Sequence, residues 1–260
     1  MPFILAASAA GALPQIALTQ SQTWVPPQDG NICIHVIGAG GAGRGKTDSS
    51  HSGGAGGYCK KNSLAVTTGG SFTVVVGVGG PRKKGNQASA NGGNSTVAGT
   101  GLSATLTANG GASASSTASG AGGTAANGDV NNTGGAGHST GGGGAVGVYG
   151  TGEAGQPILR GGQSDAAADG IGLSGFGYIT GGNAGAYISL EMYDDGMVGP
   201  QDAGSLSGGG ALNSTANSNF LAAGNGGIGG GGGGCRNSNN DGYALSGKGG
   251  DGLVLIQYLP

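Results

Sequence analysis

The chain has 260 residues, of which 67 are glycine and only 8% are charged, with a formal net charge of −2. So few cations argue against a nucleic-acid binder, which needs a basic patch to release counterions from phosphates. So little charge also excludes a coil held open by its own repulsion, and no apolar run approaches the ~18 residues of a membrane-spanning helix.

The start, Met1-Pro2-Phe3-Ile4-Leu5, is apolar without the basic residues that open a secretory signal, so no such signal is expected. Residues 1–13 are small and apolar and are expected to be an attachment segment that docks on a partner. Ile16–Val25 and Tyr58–Val66 are weaker strand candidates. Asn31–Ile37 is a stronger one, with Ile32, Ile34 and Val36 on one face. In Ser71–Val78 the alternation puts Phe72, Val74, Val76 and Val78 on one face, and Thr68-Gly69-Gly70-Ser71 before it reads as a hairpin connection. Leu102–Ala108 alternates with Leu102, Ala104 and Leu106 inward, and Leu253–Leu259 is apolar enough to be buried on both faces. Residues 14–109 together with 251–260 therefore form a small antiparallel, sandwich-like β unit.

From 110 to 250 strong strands cease and glycine clusters take over. Helix is all but excluded, because each interior glycine costs ~1 kcal/mol relative to alanine. Gly141, Gly144, Gly147 and Gly150 form a ladder with a step of three, as do Gly224, Gly227, Gly230 and Gly233. Gly53/Gly56, Gly120/Gly123, Gly134/Gly137, Gly152/Gly155, Gly182/Gly185 and Gly247/Gly250 repeat the step. Three residues per turn is the period of the extended left-handed helix, whose backbone groups must find partners outside the helix. The expected architecture is thus mainly β with irregular extended structure: a β unit plus a bundle of polyglycine-II helices over 110–250 with exposed loops.

Two segments imitate nucleotide sites. Gly38-Ala39-Gly40-Gly41-Ala42-Gly43 reads G-x-G-x-x-G, and Gly40 to Thr47 reads G-x-x-x-x-G-K-[ST]. Both need a helix directly afterwards to hold phosphate at its N-terminus. Asp48 to Gly57 has no apolar stripe and four glycines, so neither ATP nor NAD is expected to bind and no cofactor is assigned. His35, His51 and His138 lack partners at ligand spacing, with His35 read as structural. Asp194-Asp195-Gly196 and Asp251-Gly252 read as turns rather than calcium loops, so no metal is assigned. No G-x-S-x-G elbow occurs, and no enzyme activity is expected. Cys33, Cys59 and Cys235 are too scattered for a disulfide scaffold and read as free thiols.

Aromatic residues are absent between 73 and 148, while five fall between 149 and 193: Tyr149, Phe176, Tyr178, Tyr187 and Tyr193. Glycine helices bury few side chains, so these belong in connecting loops. There they either supply rigid contact area for a ligand or close the end of the bundle as a small core.

The succession of Gly38–Gly43, Gly53–Tyr58, Leu64–Gly69 into Phe72–Gly77, Gly93-Asn94-Ser95-Thr96, Gly128–Gly137 and Gly250–Ile256 resembles the glycine-rich domain of bacteriophage tail and tail-fibre proteins, in outline over residues 20–260. The second half is similar in style to the tail-fibre adhesins of T-even-type phages, which carry a sandwich of polyglycine helices at the fibre tip. The strand-rich first third departs from those adhesins. The resemblance implies a virion protein, made in the host cytoplasm, that joins other virion proteins through its N-terminal segment and admits a homotrimer. It implies an adhesin that recognises a bacterial surface glycan or outer-membrane protein through loops bearing Tyr149, Phe176, Tyr178, Tyr187 and Tyr193. A structural component of the capsid or tail, without receptor binding, is the alternative.

Overall fold

A computed structural model describes residues 3–5, 15–46, 51–85, 87–139, 142–144, 146, 150–155, 188–190, 212–214, 221–237 and 244–260. None of the described residues is helical. Two antiparallel sheets pack face to face. The first comprises β1 (Phe3–Leu5), β2 (Gln15–Leu18), β17 (Leu253–Tyr258), β4 (Gly30–Ile37), β6 (Tyr58–Val66) and β11 (Val130–Asn132), in that order. The second is β10 (Ala125–Ala126), β9 (Leu106–Ala108), β8 (Ser95–Gly99), β7 (Phe72–Val75) and β3 (Gln22–Trp24). Between them lies a core built from Ile16, Leu18, Ile32, Ile34, Val36, Leu64, Val66, Val254 and Ile256 of one sheet and Trp24, Phe72, Val74, Val97 and Leu106 of the other. The Trp24 and Phe72 rings sit 5.4 Å apart at its edge. β17 is central, pairing antiparallel with both β2 and β4, so the two ends of the chain meet in one sheet. Buried on both sides, it reads as a continuous apolar run, as the sequence leads one to expect.

One irregularity sets the inward face of β6. Ile32 pairs with Leu64 but Ile34 with Lys61, so β6 carries an extra residue at Asn62–Ser63. Alternation has period two, and this bulge reverses its parity, turning Leu64 and Val66 into the core. The displaced amide of Asn62 donates to Asp129 Oδ2 at 2.7 Å, and Lys61 Nζ meets Asp129 Oδ1 at 2.8 Å. The Lys61 contact first, then the Asn62 bond, holds the Asp129 carboxyl below its usual range.

Strands of both sheets run on directly into glycine helices. β4, β7, β9 and β11 lead out into residues 38–44, 77–80, 109–114 and 133–137; residues 51–57, 90–93, 119–124 and 246–252 lead back into β6, β8, β10 and β17. The segment Gly38–Arg44 shows the pairing rule. Its seven consecutive N–H groups donate at 2.8–3.2 Å, in rotation, to three neighbours: Gly38, Gly41 and Arg44 to Gly57, Gly54 and His51; Ala39 and Ala42 to Gly93 and Ala90; Gly40 and Gly43 to Gly250 and Gly247. All three neighbours run antiparallel to it. Its carbonyls accept from a second set, with Gly111 and Ala114 on Ala39 and Ala42, and Gly232 and Cys235 on Gly41 and Arg44, both parallel to it. A step of three in both directions is the polyglycine-II lattice. It demands close approach: a Cβ added at Gly41 would stand 2.1 Å from the Ala112 carbonyl oxygen. Ala39, Ala42 and Ala55 occupy positions in the same helices where a methyl group fits, and all three are fully buried.

On the perimeter, side chains replace the missing neighbour. Asn94 Oδ1 and Asn91 Oδ1, three residues apart, accept from the N–H groups of Gly110 and Ser113, also three apart, at 2.9 and 2.8 Å. Asn225 does the same for Lys248 N, and Asp251 for Gly79 N.

Several expectations need correction. The bundle is not confined to residues 110–250, since 38–44, 51–57, 77–80 and 90–93 belong to it, while β10 and β11 of the sandwich lie within that range. Strand and glycine helix alternate along the chain because each helix is the continuation of a strand. Thr68–Ser71 is no hairpin: β6 and β7 lie in different sheets, and the Thr67–Gly70 turn carries the chain across the sandwich. Val78 is 70% exposed because β7 ends at Val75 and the glycine helix breaks the alternation. The strand expected from Leu102 begins only at Leu106, leaving Ala104 exposed and Leu102 half-buried beside a turn. The Gly224–Gly233 ladder is two antiparallel arms. Gly230 N bonds Gly227 O around a turn in which Gly229 has φ +69°, and Gly233 N bonds Gly224 O. Of the other ladder only Gly144 and Gly150 fall among the described residues; Gly141, Gly147, Gly182 and Gly185 lie outside them.

Gly41→Ala is expected to lower stability by at least ~2 kcal/mol in denaturant titration, since the obstacle is backbone rather than a movable side chain. Ala42→Gly, which removes one methyl from a filled site, is expected to cost about 1 kcal/mol. Hydrogen exchange should show protected glycine amides at 38–43 and 53–57 although neither segment is helix or strand.

Candidate functional site

The glycine helices enter the bundle from the sandwich, so their far ends form a second pole. There lie β5 (Gly45–Lys46), β12 (Ile188–Leu190), β13 (Leu212–Ser214) and β15 (Cys235–Asn237), a sheet in the order β12-β13-β15-β5 whose every pairing is parallel. Parallel pairing brings the C-terminal ends of all four strands to one edge. Incoming strands β14 (Leu221–Ala222) and β16 (Ala244–Leu245) pair parallel with each other beside it. The Ser115–Ala118 turn, closed by Ser115 N to Ala118 O at 2.8 Å, and the Lys84–Gln87 turn also lie at this pole.

The pole gathers cations. Arg44 and Lys46 lie in and next to β5, Arg236 stands in register with Lys46, and Arg82-Lys83-Lys84 runs alongside β16. These six are a majority of the ten Lys and Arg in the chain. The Arg82–Lys84 run is fixed by its backbone: Lys83 N donates to Ser246 Oγ and Ser246 N to Lys83 O, both at 2.9 Å, and Gly85 N donates to Ala244 O at 2.7 Å. Arg82 Nη2 donates to Asn225 Oδ1 at 3.0 Å. Pro81-Arg82-Lys83-Lys84 escapes the sequence reading; its one signal is that it is the densest charge run in a charge-poor chain, and its neighbours in space come from residues 44–46 and 235–246, which spacing along the sequence does not reveal.

The candidate contacts Tyr149, Phe176, Tyr178, Tyr187 and Tyr193 lie outside the described residues. Two adjoin described ones, for Tyr187 directly precedes β12 and Tyr193 follows Leu190 by three positions. Asp194–Gly196 also lies outside the described residues, and no group of three metal-ligating side chains occurs among those described. Asp251 is committed to Gly79 N at 2.7 Å and to Lys248 Nζ at 3.0 Å. In the glycine motif after β4, the N–H groups that would cradle a phosphate all donate to the carbonyls of neighbouring helices.

One polar group inside the sandwich sheet combines a thiol with an imidazole. Cys33 and His35 share a face of β4, with Sγ 3.3 Å from Nε2; Gln257 Oε1 is 3.1 Å from Nε2, and the Tyr58 hydroxyl is 2.7 Å from Nδ1. The arrangement fits a neutral ring that donates from Nε2 to Gln257 and accepts at Nδ1 from Tyr58. Burial outweighs the Gln257 bond and lowers the His35 pKa to about 4, and it raises the Cys33 thiol. Thiolate and imidazolium are thus both disfavoured, the reverse of an activated nucleophile. Cys59 and Cys235 are likewise buried thiols outside any disulfide, each pushed up to about 12 by burial. His35 is a structural residue.

Its titration has a sign. The neutral ring is favoured in the fold, so the unfolded chain binds the extra proton first, and stability falls as pH drops from about 6.5 to about 4. The expected loss over that window is at most roughly 3 kcal/mol. The difference between wild type and His35→Gln, measured by denaturant titration, should carry that slope and flatten above pH ~7.

Comparison with known proteins fits this architecture. No curated protein matches the chain. A glycine-rich domain is matched over residues 16–259, a span that takes in the sandwich, the bundle and the far pole together. The chain belongs to the glycine-rich domain family.

Proposed function

We propose that this is a bacteriophage virion protein, a receptor-binding adhesin of the tail fibre or tail tip, that meets the bacterial surface with the far pole of its glycine bundle. The observation that carries the reading is the parallel sheet β12-β13-β15-β5, which brings the C-terminal ends of four strands to one edge, at the end of the bundle opposite the sandwich. A rigid body that delivers several strand ends to one pole suits recognition, because binding residues gather on loops held by a stiff scaffold. The fixed cations Arg82, Lys83 and Lys84 suit the anionic groups of a bacterial surface glycan. The reading includes no catalytic step. Tyr149, Phe176, Tyr178, Tyr187 and Tyr193 are its receptor contacts, and residues 1–13 attach the protein to the virion.

A structural capsid or tail protein is the second reading, and the wholly uncharged second sheet favours it, since such a face suits packing within a particle. Binding of the purified protein to host cells separates the two. On the adhesin reading the purified protein blocks adsorption of the phage. Alanine at Tyr187 and Tyr193 together weakens that block by about tenfold or more, with the melting temperature unchanged. Protein that leaves adsorption untouched, or alanine variants that block as well as wild type, would refute it.

A further inference from the structure

The charges of this molecule are segregated in sequence and in space. Residues 62–81 and 85–128 contain no Asp, Glu, Lys, Arg or His, nor does the stretch from Pro2 to Gln28. These stretches supply every strand of the second sheet, β3, β7, β8, β9 and β10. Its inner face makes the core. Its outer face carries two rows in register: Thr23, Thr73 and Ala98 in one, and Val75, Thr96, Thr107 and Ala126 in the other. Thr23, Thr73, Val75 and Ala126 are exposed. The large hydrophobic residues exposed among those described are Val25 at 52%, Val75 at 40% and Val78 at 70%, all on or beside β3 and β7. An antiparallel sheet facing water ordinarily alternates in charged as well as polar residues, and an open edge strand is ordinarily guarded by charge. The edge strand β3 has neither.

We infer that this face is a contact between copies of the chain. Neutrality is the charge state that complements itself: two copies meeting here bring no like charges together and strip no ion of water. The size also suits. Five strands at ~4.8 Å spacing are about 19 Å wide. With the glycine helices that continue β7–β10 at ~3.1 Å per residue, the face is roughly 33 Å long. About 600 Å² of flat area per copy gives roughly 1,200 Å² for a pair, the lower limit of a stable protein interface. A carbohydrate partner fits less well, since the aromatic residues of this sheet, Trp24 and Phe72, are buried in the core and leave no ring on the outer face for a sugar to stack on. The face stands whether or not the far pole binds a receptor.

Sedimentation equilibrium of the full chain should give a multiple of its 24.2 kDa mass. Val75→Lys, at an exposed position that leaves the core intact, should weaken self-association about tenfold or more without changing the melting temperature. Thr73→Cys should cross-link copies through a short bifunctional maleimide, because Cys33, Cys59 and Cys235 are buried and stay silent. A chain that sediments as a monomer up to ~100 µM would overturn the inference. So would an oligomer that Val75→Lys leaves intact and Thr73→Cys fails to cross-link. A monomer whose uptake into virions is blocked by Val75→Lys would assign the face to another virion component instead, and would equally overturn it.

Discussion

The fold depends on one interaction, the backbone hydrogen bond exchanged between neighbouring glycine helices every third residue. Each is worth a net ~1 kcal/mol, while ordering a residue costs ~1–2 kcal/mol and more for glycine. No single pair of such helices could hold. What makes the bundle possible is multiplicity: the helix from Gly38 to Arg44 donates to three neighbours and accepts from further ones, so one ordered residue serves two bonds. That arithmetic needs an interior position, and it explains why the most committed segments, 38–44 and 51–57, lie inside the bundle. It also explains the perimeter, where Asn91 and Asn94 extend their side-chain amides with the same step of three that a further helix would have used.

The sandwich solves a different difficulty. A polyglycine helix has no side chains to define its register against a neighbour, whereas strands packed on an apolar core have their register fixed by alternation. Because β4, β6, β7, β8, β9, β10, β11 and β17 continue into or out of glycine helices, the register set by Ile34, Val74, Val97 and Ile256 in the core is passed on to backbones that could not set it themselves. The β6 bulge shows how tightly that register is held, since one extra residue at Asn62–Ser63 is what turns Leu64 and Val66 inward.

This division of labour decided what could be read from the sequence. Asn31–Ile37 was legible because core packing leaves a period of two, Leu253–Leu259 because a strand buried on both faces is a continuous apolar run, and the step of three in Gly53/Gly56 and Gly247/Gly250 marked the lattice. β8 was not legible: Ser95-Thr96-Val97-Ala98-Gly99 has one large apolar residue, and its place in the sheet is set by its neighbours. The Gly224–Gly233 ladder misled because a turn at Ile228-Gly229 leaves the spacing of glycines unchanged while reversing the chain. The far pole was half legible. Aromatic residues between 149 and 193 marked the region for attention, but the parallel sheet β12-β13-β15-β5 joins segments up to 190 positions apart that share no pattern.

Charge follows the same logic. In the interior of the bundle a charged side chain has no position to occupy, since most neighbours of a Cβ would be carbonyl oxygens at less than contact distance. Charge is therefore displaced to places outside the lattice interior: Lys61 and Asp129 at the β6 bulge, Lys248 and Asp251 on the perimeter, and Arg44 with Arg82–Lys84 at the far pole. The second sheet is under no such restriction, because its outer face points to solvent and would accommodate lysine or glutamate at Thr73 or Val75 without touching the core. Its neutrality is consequently not imposed by the fold, whereas the scarcity of charge in the glycine helices is. Only the unforced case carries information about what the surface meets.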